Sequence, residues 1–98
     1  MTIEMKKNGS ALTVSLAGRL DTVTSPDLEK ALADALADVK ELTFDLAKLE
    51  YVSSAGLRVL LSTQKVMNVQ GSMVVKNVNQ DVMDIFEVTG FSDILTIE

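Results

Sequence analysis

Apolar positions fall into short blocks whose period switches between about two and about 3.6 residues, the marks of strands and helices in turn. Thr2–Lys7 and Ala11–Ala17 alternate, with Leu12, Val14 and Leu16 on one face of the second block and Ala11, Thr13 and Ser15 on the other. Asn8-Gly9-Ser10 between them is a hairpin signal. Gly18–Thr24 is polar and reads as a loop. Ser25-Pro26-Asp27 then supplies an N-cap, a proline at the first helical position and a first-turn acid. Leu28, Leu32, Ala35, Leu36 and Val39 make the buried stripe of that helix. Leu42–Leu46 and Ser72–Lys76 have the composition of buried strands. Between them Leu57, Leu60 and Leu61, continued by Gln64 and Asn68, predict a helix that ends before Gly71. Asn79 caps a third helix lined by Val82, Ile85, Phe86 and Thr89 and closed by Gly90. Phe91–Asp93 turns the chain into a last strand, Ile94–Ile97.

Strands and helices that alternate through short connections make neighbouring parallel strands joined by right-handed crossovers, and the hairpin adds an antiparallel member. The pattern predicts an α/β layer: a mixed four- or five-stranded sheet with helices on its exposed faces. Ninety-eight residues suffice for one core and not for two, so residues 1–98 form a single domain.

Composition narrows the chemistry. The chain has no cysteine and no histidine, which removes disulfides, thiol catalysis, histidine general bases and the usual zinc or haem ligation. Net charge is −5 without a basic cluster, so a nucleic-acid backbone would be repelled. Met1–Lys6 lacks the apolar core of a signal peptide, and no run approaches the length of a membrane span. A cytoplasmic protein that does not insert into membranes is expected.

Phe44–Leu61 organises the chain as strand, loop and helix. Ser53-Ser54 stands at the junction, where a helix needs an acceptor for its unpaired amides. Ser54 is placed at the N-cap, with Ala55 and Gly56 in the first turn. Glycine is poor for helix propensity, so Gly56 points to close access to the backbone by a partner, or to tight packing. Two readings fit Ser54: a plain cap, which spacing alone favours, or a seat for an anion at the positive end of a helix. A Ser nucleophile is disfavoured, since neither Gly-x-Ser-x-Gly nor a histidine partner is present. A Gly-rich phosphate cradle is missing as well. Asp21 in its loop and Asp45 at the end of a central strand could border the same rim, although capping a turn is the commoner use of such acids. Arg58, in the first turn of the second helix, could pair with a carboxylate or a phosphate, or simply face water.

The central stretch resembles the signature of STAS domains, the family of anti-sigma factor antagonists and of the cytoplasmic tails of sulphate transporters. The matching residues are Asp45-Leu46 and then Ser53-Ser54-Ala55-Gly56-Leu57, where the family has Asp-Ser-[Ser/Thr]-Gly-Leu opening a helix. Gly18-Arg19-Leu20-Asp21 resembles the family's Gly-x-[Leu/Ile]-Asp loop, and Asn77–Val82 with Phe86–Phe91 resembles its third-helix region. The chain departs at Ser53, where the best-known antagonists carry aspartate. The resemblance implies a STAS fold, while catalysis and a bound cofactor are disfavoured by the missing parts named above. It implies phosphorylation on Ser54, with a partner surface at Asp21, Asp45, Ser53, Gly56, Leu57 and Arg58. It also implies an anti-sigma factor with serine kinase activity as partner, a serine phosphatase to reverse the mark, and a free monomer. Two rival roles resemble the family too: a non-phosphorylated subunit of a lipid-transport complex, and a nucleotide-sensing module.

Overall fold

A computed structural model describes residues Met1–Glu98. Strand β1 (Thr2–Asn8) and strand β2 (Ala11–Leu20) form the expected antiparallel hairpin, with Gly9 at φ +63° in its turn. Helix α1 (Ser25–Ala35), strand β3 (Glu41–Val52), helix α2 (Ser54–Gln70), strand β4 (Ser72–Lys76) and helix α3 (Gln80–Thr89) follow, then a 3₁₀ turn at Phe91–Asp93. The sheet has four strands in the order β1-β2-β3-β4, with β2, β3 and β4 parallel. The expected fifth strand is reduced to one parallel bridge, Val75 to Ile97.

The helices cover one face of the sheet, not both. Two right-handed crossovers that step across a sheet in the same direction must deposit their helices on the same side, and β2, β3 and β4 are such a series. Leu12, Val14, Leu16, Leu42, Phe44, Leu46, Met73 and Val75 therefore share one buried cluster with Leu28, Leu32, Leu60, Met67, Val82 and Phe86 of the helices. The alternate residues Thr13, Ser15, Thr43, Asp45 and Val74 remain half-buried on the open face.

Two segments expected as loops are strand. β2 continues through Gly18 to Leu20, and β3 continues through Ala47 to Val52, because the two pair with each other over that length: Ala17 with Lys48, Gly18 with Leu49, Arg19 with Tyr51, Leu20 with Val52. Two bulges, between Ser15 and Ala17 and between Gly18 and Arg19 on β2, each oppose one extra residue on β3. Each bulge shifts the alternation by one, so Leu46, Leu49 and Val52 are all buried at a spacing of three. That spacing disguised the strand.

Helix α1 also differs at its ends. Thr24 precedes it without capping it through its side chain, while Ser25 is buried and its hydroxyl donates to the Asp21 carbonyl. The helix stops at Ala35, and Val39 is buried from the following turn instead of from the helix. Asn79 caps α3 as expected, accepting from Val82 N–H at 2.9 Å, and Gly90 closes it at φ +81°.

Candidate functional site

The extended β2–β3 ladder delivers the site. It carries Leu20 alongside Val52, and the Leu20 carbonyl accepts the Ser53 N–H at 2.8 Å, which fixes the entrance of α2 against the end of β2. Ser53 is still extended, with φ −87° and ψ 173°. Its hydroxyl oxygen accepts the Gly56 N–H at 3.2 Å, and its carbonyl accepts the Leu57 N–H at 2.8 Å. Ser53 is thus the N-cap, correcting the placement of Ser54 there. The cap must be the last extended residue, and strand pairing through Val52 puts that residue one position earlier than expected. Ser54 is the first helical residue, exposed, with its hydroxyl left free of the cap.

Gly56 is buried, not exposed. A Cβ there would stand 2.7 Å from Leu20 Cγ and 2.9 Å from the Leu20 carbonyl oxygen. The glycine lets α2 close on the end of β2, so it is a packing residue and no part of a surface that a partner can reach. Leu57 likewise belongs to the core, only 6% exposed. Its outer edge floors a shallow groove lined by Ser54, Arg58, Leu61, Thr89 and Phe91. Arg58 is exposed at the rim of that groove.

Asp21 borders the site from the loop between β2 and α1. Its carboxylate accepts the N–H groups of Val23 and Thr24, each at 3.0 Å, and the Thr24 hydroxyl at 3.2 Å. The Thr24 amide above all, helped by the Val23 amide, the Thr24 hydroxyl and the Arg19 guanidinium, holds the Asp21 pKa below the ordinary carboxylate value against the opposing effect of burial. The loop is pinned, and Val23 at its tip is 82% exposed. Arg19 lies 3.9 Å from the Asp21 carboxylate and stacks 4.3 Å over the Tyr51 ring.

Asp45 does not join this group. Beside it β2 runs five residues from Ser15 to Leu20, the partner of Val52, which at ~3.3 Å per residue puts Asp45 about 17 Å from the end of β3. It sits at the first bulge on the open face, accepting from Asn77 Nδ2 at 3.0 Å and from the Ala47 N–H at 3.1 Å. These donors, the Asn77 amide first, lower its pKa. The expectation that Asp45 flanks Ser54 fails because the intervening residues are strand and not loop. The structure therefore gathers Asp21, Ser53, Ser54 and Arg58 at one end of the domain, places Gly56 and Leu57 beneath them, and leaves Asp45 apart.

Tyr51, Val23 and Phe91 at this end were not picked out from sequence. Tyr51 meets Arg19 only through the bulged register. The pinned loop did carry a local signal: a Thr three residues after Asp21, the spacing of a side-chain turn. No group of three carboxylates gathers to hold a metal, and no helix is long and apolar enough to cross a membrane.

The family model of the STAS domain matches residues 2–98. The chain is 29% identical over 98 residues to the anti-sigma-B factor antagonist of Bacillus subtilis, covering 99% of this chain and 90% of that one. It is 31% identical over 103 residues to the anti-sigma-B factor antagonist of Listeria monocytogenes, covering 100% and 89%. Among solved structures it is similar to an anti-sigma factor antagonist from Mycobacterium paratuberculosis, with a TM-score of 0.88, 26% identity and coverage of 98% of this chain and 83% of that one.

Proposed function

The chain belongs to the STAS domain family, and from that premise we propose that it is an anti-sigma factor antagonist switched by phosphorylation of Ser54. Unmodified, it binds an anti-sigma factor that is also a serine kinase, and so releases the sigma factor. The kinase moves the γ-phosphoryl group of ATP to Ser54 Oγ, with loss of the hydroxyl proton and departure of ADP; a serine phosphatase hydrolyses the ester and restores binding. The domain contributes a surface and an acceptor hydroxyl, and the kinase brings nucleotide and metal. Histidine and cysteine are absent, which removes a histidine general base and a cysteine nucleophile from the domain itself. The protein acts in the cytoplasm as a monomer when free, without nucleic acid.

The division of labour between the two serines carries this reading. Ser53 Oγ is tied to Gly56 N–H, whereas Ser54 is exposed beside it in the first turn. Aspartate and serine are both strong N-caps, so Ser53 in place of the family's aspartate keeps the role of that position and leaves the acceptor untouched. Placed on Ser54, a phosphate adds about −1.5 to −2 charges where free amides and the helix dipole favour them. The fold then tolerates the group, while a close-packed interface without a matching cation does not. Burying such a charge unpaired costs at least several kcal/mol, enough to abolish a complex of moderate affinity.

Incubation with the cognate kinase and ATP tests the assignment. Wild type and Ser53→Ala should be labelled and Ser54→Ala should not; label retained in Ser54→Ala would overturn it. Stable copurification with transporter subunits, with no phosphoserine, would instead identify a structural subunit of a transport complex. Saturable nucleotide binding by the domain alone would identify a sensor.

A further inference from the structure

Arg58 stands four residues after Ser54, one turn along the same face of α2, and the two side chains line the same groove. Arg58 is exposed and has no carboxylate partner: the ion pairs of the protein are Arg19 with Asp21 and Lys76 with Glu98. Helix α2 itself, Ser54–Gln70, contains no acidic residue that could take it at a neighbouring turn. Arg19, the other arginine, is engaged with Asp21 and Tyr51.

We infer that Arg58 is the counter-cation of a phosphate on Ser54, forming an ion pair across the first turn of α2 that occupies the guanidinium at the rim of the groove. This rests on Ser54 being the acceptor. The order is the favourable one, anion N-terminal to cation at a spacing of four. A guanidinium matches phosphate oxygens with two parallel donors, which an ammonium cannot do. Phosphorylation then changes the surface twice: it adds an anion at Ser54, and it removes the free arginine that a partner carboxylate could use at the rim of the groove.

The test installs phosphoserine at position 54 of the full chain by genetic code expansion and follows the second phosphate ionisation by ³¹P NMR. An exposed ion pair of ordinary strength changes that pKa by about 0.2–0.7 of a unit. Arg58→Gln should raise the phosphoserine pKa by that amount, and Arg58→Lys should raise it less. Lys65→Gln is the control, because Lys65 lies eleven residues on, about 16 Å along the helix and beyond the screening length; it should leave the value unchanged. Equal values in Arg58→Gln and Lys65→Gln would overturn the inference. No kinase enters this measurement, so its failure is separate from a failure of Ser54 to be labelled.

Discussion

The carbonyl oxygen of Leu20 lies 2.9 Å from the point where a Cβ on Gly56 would stand. The same oxygen accepts the Ser53 N–H at 2.8 Å, so it cannot withdraw without breaking the bond that seats α2 on the sheet. The end of β2 and the first turn of α2 are in backbone contact because residue 56 has no side chain.

Gly56→Ala should therefore destabilise. Overpacking costs about 1–3 kcal/mol, against the ~1 kcal/mol of helix propensity that alanine recovers. A net loss of about 1 kcal/mol is expected, read in urea as a lower midpoint with an unchanged slope. A midpoint equal to or above wild type would show that the ladder yields at Leu20. Gly56→Arg should unfold the domain outright, so loss of partner binding in that variant says nothing about a contact.

The two serines should separate by stability as well as by labelling. Ser53→Ala removes the cap of α2 and should cost about 1 kcal/mol, whereas Ser53→Asp should restore it. Ser54→Ala should stay within about 0.5 kcal/mol of wild type. Thermal or urea melts of the three variants decide it; a larger loss in Ser54→Ala than in Ser53→Ala would contradict the cap geometry.

Acid should destabilise the protein through its pinned carboxylates. Asp21 and Asp45 both have folded pKa values below their unfolded value of about 3.9. Each thus contributes stability that is present above that pH and is lost as pH falls through the folded pKa. Stability should be flat near neutrality and drop below about pH 4. Asn77, at φ +59°, supplies the main donor to Asp45. Asn77→Gly keeps that backbone conformation accessible and should raise the Asp45 pKa in a carboxyl NMR titration. An unmoved Asp45 titration would show that Ala47 N–H alone holds the carboxylate.

Phosphorylation should block an interface without refolding the domain. A charge of this kind at a helix N-terminus contributes about 0.3–1 kcal/mol, so the melting temperature should change little. Amide shifts should concentrate at the first turn of α2, the Asp21–Thr24 loop and the groove beside Thr89 and Phe91. Widespread shifts in β1 or β4, or unchanged partner affinity, would show that the local-block mechanism is wrong.

Apolar spacing with its turn and capping residues was enough for the hairpin, the three helices and the strand at Ser72–Lys76, because each is written in local terms. Asn-Gly makes a turn, Asn79 makes a cap, and leucines at helical spacing make a buried face whatever surrounds them. The resemblance of Ser53–Leu57 and Gly18–Asp21 to the STAS signature likewise needs no coordinates. Register is different. Which residues of β2 oppose which of β3 depends on two bulges, and a bulge is a bargain between two distant segments that neither records by itself. The bulged pairing carries β3 on to Val52, makes Ser53 the cap, buries Gly56 against Leu20 and brings Arg19 over Tyr51. It also leaves Asp45 about 17 Å back along the ladder from Val52, at ~3.3 Å for each of the five β2 residues alongside, and so apart from the serine it was expected to flank. Local composition determined which residues form the helix and which hydroxyls stand at its start; only long-range strand pairing decided which hydroxyl is tied down and which is left free.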